Sequence, residues 1–136
     1  MKTILLVEDN DNNLYLISFI LKNRGYEVIE ARTGAIGLEL ARSEDPDLIL
    51  MDLQLPDLHG LDVTRRLRRG GLGPGTPILA LTSFAMPGDR EKALSAGCTG
   101  YIEKPIDPLG FLDEIERQLS RGAVLRARGR EERGGG

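Results

Sequence analysis

The chain has 136 residues, 40% of them hydrophobic and 29% charged, with a net charge of -3. That size and composition suit one soluble globular domain with a proper core, and so mild a charge argues against a nucleic-acid binder or a disordered acidic chain. The single cysteine, Cys98, excludes an internal disulfide; with no secretory signal and no apolar run of membrane-spanning length, a reducing cytoplasm is the expected setting.

Thr3 to Val7 runs straight into Glu8 and Asp9 and then into the turn-prone stretch Asn10 to Asn13. A short apolar run bounded in this way reads as a buried strand. Leu14, Ile17 and Leu21 follow at helical spacing, and Gly25 ends that helix. Val28 to Ala31 is a second strand, and Ala35, Leu38 and Ala41 mark the inner face of a second helix. Leu48 to Met51 is the third strand. The helix after it closes on a basic cluster, Arg65, Arg66, Arg68 and Arg69, which reads as a solvated face that also complements the helix C-terminus. GGLGPGTP, residues 70 to 77, is a loop and not a linker between domains. Ile78 to Leu81 forms the fourth strand, Gly97 ends the fourth helix, and Tyr101 to Ile102 forms the fifth strand. Asp107 and Pro108 then cap and open a last helix with Leu109, Leu112, Ile115 and Leu119 on one face.

Strand and helix alternating five times predict an α/β fold with a parallel sheet covered on both faces. The third and fourth strands are apolar without alternation, as central strands are. The domain is expected to end near residue 120. From Ser120 onward the chain holds five arginines against two glutamates and closes on three glycines, so residues 121 to 136 read as a basic, flexible tail.

The chemistry gathers at the strand ends. The first strand stops at Glu8 and Asp9, the third at Asp52, the fourth at Thr82 and the fifth at Lys104. In an open parallel sheet, ligands sit beyond the carboxyl ends of the strands, so these groups are expected to meet. Adjacent carboxylates repel unless something pairs them, and here a lysine and a divalent cation supply the opposite charge. A small, hard ion such as Mg²⁺ (or Mn²⁺) takes oxygen ligands and often shares them with a phosphate. Asp9 and Asp52 could bind it directly, with Glu8 acting through water. An aspartate can attack phosphorus and become an aspartyl phosphate, a transfer that needs mainly alignment and charge neutralisation. Lys104 and the Thr82 hydroxyl would hold the phosphoryl oxygens.

The segments LLVEDN (5 to 10), DLILMDLQLPDLHGLD (47 to 62), ILALTSFAM (78 to 86) and GCTGYIEKPI (97 to 106) carry a family resemblance. The chain resembles the receiver domain of two-component response regulators over about residues 2 to 119. The resemblance implies a doubly wound, flavodoxin-like (βα)5 fold with strand order 2-1-3-4-5, an order that periodicity alone leaves open. It implies that Asp52 accepts a phosphoryl group and that Glu8 and Asp9 form the acidic metal pair. The backbone carbonyl of Gln54 would be a further metal ligand. Thr82 and Tyr101 would be switch residues, and Lys104, with a cis bond to Pro105, would bind phosphate. Ser83 and Phe84, just beyond Thr82, are candidate tuning positions; a bulky Phe84 could hinder water and slow loss of the phosphoryl group.

By the same resemblance, a histidine kinase or histidine phosphotransfer protein is the donor. A downstream protein would read the surface of the fourth helix, fifth strand and fifth helix. The chain would be a signalling switch, not an enzyme with an external product, and a monomer or a phosphorylation-dependent homodimer. Neither membrane nor nucleic acid is an expected partner. Because the chain stops soon after the last helix, a stand-alone regulator is expected; a receiver within a hybrid kinase or multidomain regulator is the alternative.

Plainer readings stand beside these. Tyr101 by itself fits a sheet-packing residue equally well, Thr82 is at home in any strand, and Cys98 reads as a small buried filler. His59, the only histidine, is a departure from the family's usual small or acidic residue and reads as a partly exposed loop position. An aspartyl-phosphate phosphatase would want an acid two residues beyond its nucleophile, where this chain has Gln54. A flavin carrier shares the fold, but carboxylates at the strand ends would repel the flavin's phosphate.

Overall fold

The apolar runs form the strands β1 (Thr3–Val7), β2 (Glu27–Ala31), β3 (Leu48–Asp52), β4 (Ile78–Thr82) and β5 (Gly100–Glu103). Between and after them lie the helices α1 (Asp11–Asn23), α2 (Gly34–Ser43), α3 (Gly60–Arg69), α4 (Asp89–Ala96) and α5 (Pro108–Gly134). The structure is a computed structural model, and it describes residues 1–134. All strand pairs are parallel and the sheet order is β2-β1-β3-β4-β5, the doubly wound order expected. None of the described helices is long and apolar enough to cross a membrane.

Successive strand residues point to opposite sides of the sheet, so unbroken apolar runs feed two cores at once. Ile4, Leu6, Leu48, Leu50, Leu79 and Leu81 meet Leu14, Ile17 and Leu21 of α1 and Phe111 and Ile115 of α5. Leu5, Val7, Ile49, Met51, Ile78 and Ala80 meet Ala41 of α2, Val63 and Leu67 of α3 and Ala93 and Ala96 of α4. The edge strand β2 is only partly covered, whereas every residue of β3 and β4 is buried. Each fully buried leucine or isoleucine contributes roughly 1.5–3 kcal/mol of transfer free energy, so this lining is what fixes the sheet.

Side chains set the helix starts. The Asn10 side chain accepts from Asn13 N at 3.0 Å, and Thr33 Oγ1 accepts from Ile36 N at 3.1 Å. His59 caps α3, its Nδ1 accepting from Leu61 N at 3.1 Å. Gly25 and Gly97 take the left-handed conformation just past α1 and α4, as expected for residues that end helices.

Four expectations need correcting. The inner face of α2 is Gly34, Gly37 and Ala41, with Leu38 half-buried and Ala35 exposed. A β-carbon on Gly37 would lie 3.0 Å from the Val7 methyl groups, so α2 packs on β1 through glycine, which an apolar count overlooks. Leu109 is 74% exposed, and Phe111 takes the buried place in the first turn of α5.

The third correction concerns the tail. The basic segment does not fray after residue 120, since α5 continues to Gly134; Gly135 and Gly136 lie outside the described residues. Gly122 is buried against the Gly75 carbonyl and the Pro77 ring. One turn later, Arg126 donates to Asp47 Oδ1 (3.1 Å), Thr76 Oγ1 (2.8 Å) and the Pro46 carbonyl (3.3 Å). Asp47 in turn accepts from Thr3 N at 2.8 Å. The extension is thus fastened to the amino-terminal ends of β1, β3 and β4, opposite the expected site. Arg68 also departs from the solvated reading: half-buried, it donates to the Gly97 and Gly73 carbonyls at 3.0 and 2.6 Å.

Candidate functional site

Four neighbouring parallel strands, β1, β3, β4 and β5, deliver their last residues to one edge of the sheet. Backbone bonds lock them in step: Leu53 N donates to Leu81 O at 3.0 Å and Lys104 N to Thr82 O at 2.8 Å. Parallel register therefore brings together residues that the chain holds far apart.

Glu8 is fully buried, Asp52 is 3% exposed, and Asp9 stands at the open side. One carboxylate oxygen from each of the three lies within 4.8 Å of the others. Lys104 reaches in from β5, its Nζ 2.7 Å from Glu8 Oε1 and 3.3 Å from Asp52 Oδ2. The second oxygen of Glu8 accepts from the backbone of Asp9 at 3.1 Å and Asn10 at 3.4 Å. Asp52 Oδ1 accepts from Gln54 N at 2.9 Å. The Lys104–Pro105 bond is cis.

The charges do not balance. Burial, and then the neighbouring Asp52, push the Glu8 carboxyl above its ordinary range despite the pull of Lys104. Burial alone would lower the Lys104 ammonium, but its bond to Glu8 and the charges of Asp52 and Glu8 outweigh that and raise it. Three clustered carboxylates facing one ammonium form an all-oxygen donor set with negative charge to spare. Such a set fits a hard divalent cation.

The Thr82 hydroxyl accepts from Phe84 N at 3.2 Å, and Thr82 is buried. The Tyr101 ring is half-buried; its hydroxyl is enclosed and has no hydrogen-bond partner among the described residues. Burial, then Asp89 and Glu103, push that phenol upward. Ser83 and Phe84 are not drawn into the cluster: both are exposed, Phe84 by 71%. Gln54 is an exposed loop residue whose backbone meets Asp52. Cys98 is buried, with Sγ 3.8 Å from Thr64 Oγ1.

Motif reading passed over some residues that shape the site. Gly60 opens α3 directly beneath the end of β3, where a β-carbon would overlap the Asp52 carbonyl. Its N–H donates to Leu53 O at 3.0 Å and closes the loop after β3. A glycine at a loop-to-helix junction was the available signal. Asp57, in the same loop, bonds to the start of α2. Nothing local in the sequence marks that contact.

A doubly wound parallel sheet with an acidic trio and a lysine at its carboxyl edge is a receiver architecture. Residues 4–116 match the response regulator receiver domain, and the chain belongs to that family. Among relatives, it is 43% identical over 118 residues to the polar-differentiation response regulator DivK of Brucella ovis, covering 87% of this chain and 96% of that one. The fold is similar to a CheY-like receiver domain protein from Methanospirillum hungatei (TM-score 0.84, 32% identity, 91% of this chain and 98% of that one). It is similar also to the receiver domain of the sensor histidine kinase PA1611 of Pseudomonas aeruginosa (TM-score 0.81, 38% identity, 88% and 98%). That structure holds a magnesium ion coordinated in its active-site cleft.

Proposed function

We propose that this chain is a single-domain response regulator. It takes a phosphoryl group onto Asp52 from a histidine kinase or histidine phosphotransfer protein, and so changes which protein it binds. The observation that carries the reading is Lys104 bridging Glu8 and Asp52, with Asp9 completing a cation-sized cluster.

Asp52, at the end of β3 and bonded to Lys104, is the nucleophile, the role its place in the receiver motif implies. Its oxygen bonds to phosphorus as the bond from phosphorus to the donor's imidazole nitrogen breaks, and the imidazole leaves with the electron pair. Bound Mg²⁺ would neutralise charge on the phosphoryl oxygens. Asp9 and Asp52 would hold it directly, the Gln54 carbonyl would add a ligand, and Glu8 would act through water. Lys104 turns from Asp52 to the phosphoryl group, and the Thr82 hydroxyl donates to another of its oxygens. Thr82 moving inward leaves space that the Tyr101 ring fills. The face of α4, β5 and α5 then presents a different surface to a downstream protein. Slow self-phosphorylation by small donors and self-dephosphorylation complete the cycle. The receiver comprises residues 1–120, works in the cytoplasm, and is a monomer or a homodimer when phosphorylated.

The stand-alone reading is supported by DivK relatives that this chain covers almost end to end. The kinase receiver at 38% identity supports a second reading, a receiver acting beside a kinase module. Phosphotransfer profiling against every histidine kinase of the host, with Asp52→Ala as control, tests the acceptor and names the donor. Transfer that survives Asp52→Ala sinks the proposal.

A further inference from the structure

The loop from Leu53 to His59 carries Gln54 between β3 and α3. Backbone N–H groups hold its two ends, Gln54 N donating to the Asp52 carboxylate Oδ1 at 2.9 Å and Gly60 N to the Leu53 carbonyl at 3.0 Å. Its middle is held by something else. Asp57 reaches across to a different helix: Oδ1 accepts from Gly34 N at 2.7 Å and Oδ2 from Ala35 N at 3.0 Å.

Those N–H groups are the ones α2 cannot satisfy by itself. A helix leaves its first four donors without internal partners, and the Thr33 hydroxyl takes only that of Ile36. Asp57 supplies the missing cap, and in return α2 fixes the loop. Residue 34 must be small for this to happen. A β-carbon on Gly34 would lie 2.9 Å from Val63 Cγ2, 3.0 Å from Leu58 Cβ and 3.2 Å from Asp57 Oδ1. The side chain is exposed, yet the Gly34 and Ala35 N–H groups hold its carboxyl below the ordinary range, so the contact favours the anion.

We infer that Asp57 is a positioning residue for the metal site: by clamping the 53–59 loop to the start of α2, it holds the Gln54 backbone where a cation bound by Asp9 and Asp52 can use its carbonyl. Asp57 touches no reacting group; it acts through Gln54. The inference rests on the metal reading given above and adds to it a residue that anchors the site from outside.

Two variants separate positioning from stability. Asp57→Ala removes the clamp, whereas Thr33→Ala removes a cap from the same helix end and leaves the loop alone. Isothermal titration of the full chain with Mg²⁺, thermal melts, and hydrogen exchange at the Gln54 amide without metal are the measurements. Both variants should melt at lower temperature. Only Asp57→Ala should weaken Mg²⁺ binding, by about ten-fold as for other residues that orient a ligand, and only it should speed exchange at Gln54. Asp57→Asn, which keeps one acceptor oxygen, should recover part of the affinity. Wild-type affinity in Asp57→Ala, or an equal loss in Thr33→Ala, overturns the clamp alone. A wild-type chain that binds no Mg²⁺ overturns the metal reading and the clamp with it.

Discussion

Lys104 and Glu8 stand 96 positions apart in the chain, yet their side chains meet at 2.7 Å inside the carboxyl edge of the sheet. The lysine is the only cation bonded to the cluster among the described residues, and it serves two acids at once. Lys104→Met should therefore leave Glu8 and Asp52 buried without a counter-charge. Metal-free stability should fall by about 3 kcal/mol, the usual cost of breaking a buried pair. Mg²⁺ should then raise the melting temperature more than in the wild type, and phosphoryl uptake should slow by about 100-fold or more. A melt with and without Mg²⁺, beside a transfer time course, checks all three.

Asp52→Asn should act in the opposite sense on the metal-free chain. It removes the carboxylate that, after burial, holds Glu8 above its ordinary range, so the melting temperature without Mg²⁺ should rise. The same change should abolish phosphorylation and most of the stabilisation by Mg²⁺. A variant that melts lower without metal would mean that the cluster is not strained by repulsion.

Glu8 makes stability depend on pH. Its pKa is raised in the folded chain, so its contribution is fully present below the ordinary glutamate value of about 4.3 and is lost as pH rises through the folded value. Mg²⁺ competes with that proton, so stabilisation by the metal should grow over the same rise. Glu8→Gln should flatten both trends. Asp57 has the reverse sign: its pKa is lowered, so its contribution is lost only as pH falls below the ordinary aspartate value of about 3.9. Melts across pH 3 to 8, with and without Mg²⁺, separate the two windows.

Phe84 lies two residues past Thr82, and its N–H donates to the Thr82 hydroxyl oxygen. If the ring folds over the phosphorylated acceptor it hinders water, and Phe84→Ala should shorten the phosphoryl half-life several-fold. An unchanged half-life in a decay assay would show that the ring stays in solvent, where it now is.

Arg126 ties the end of α5 to Asp47 and Thr76 at the far end of the sheet. Arg126→Ala should cost about 1 kcal/mol, because the ion pair is half-exposed, and should lower the melting temperature by about 3–5 °C. Phosphoryl transfer should stay at the wild-type rate, since the contact lies away from Asp52. Thermal melts beside a transfer assay test this.

Local pattern decided much of this protein. The unalternating apolar runs at residues 48–51 and 78–81 read as strands buried on both faces, and both are. Acids and a lysine placed just past those runs had to meet once the strands lay parallel, so Glu8, Asp9, Asp52 and Lys104 were legible as one site. Contacts that depend on backbone approach were not. Gly34 and Gly37 form the inner face of α2 because they have no side chain, a signal that hydrophobic spacing cannot register. Asp57 goes unmarked inside the 47 to 62 segment, and Arg126 reads as part of a basic, flexible tail. Each finds its partner on a segment more than 20 residues away, Gly34 for one and Asp47 for the other. Sequence specifies which groups want a partner, through charge and unsatisfied hydrogen bonds; only the packed chain decides which partner comes within reach.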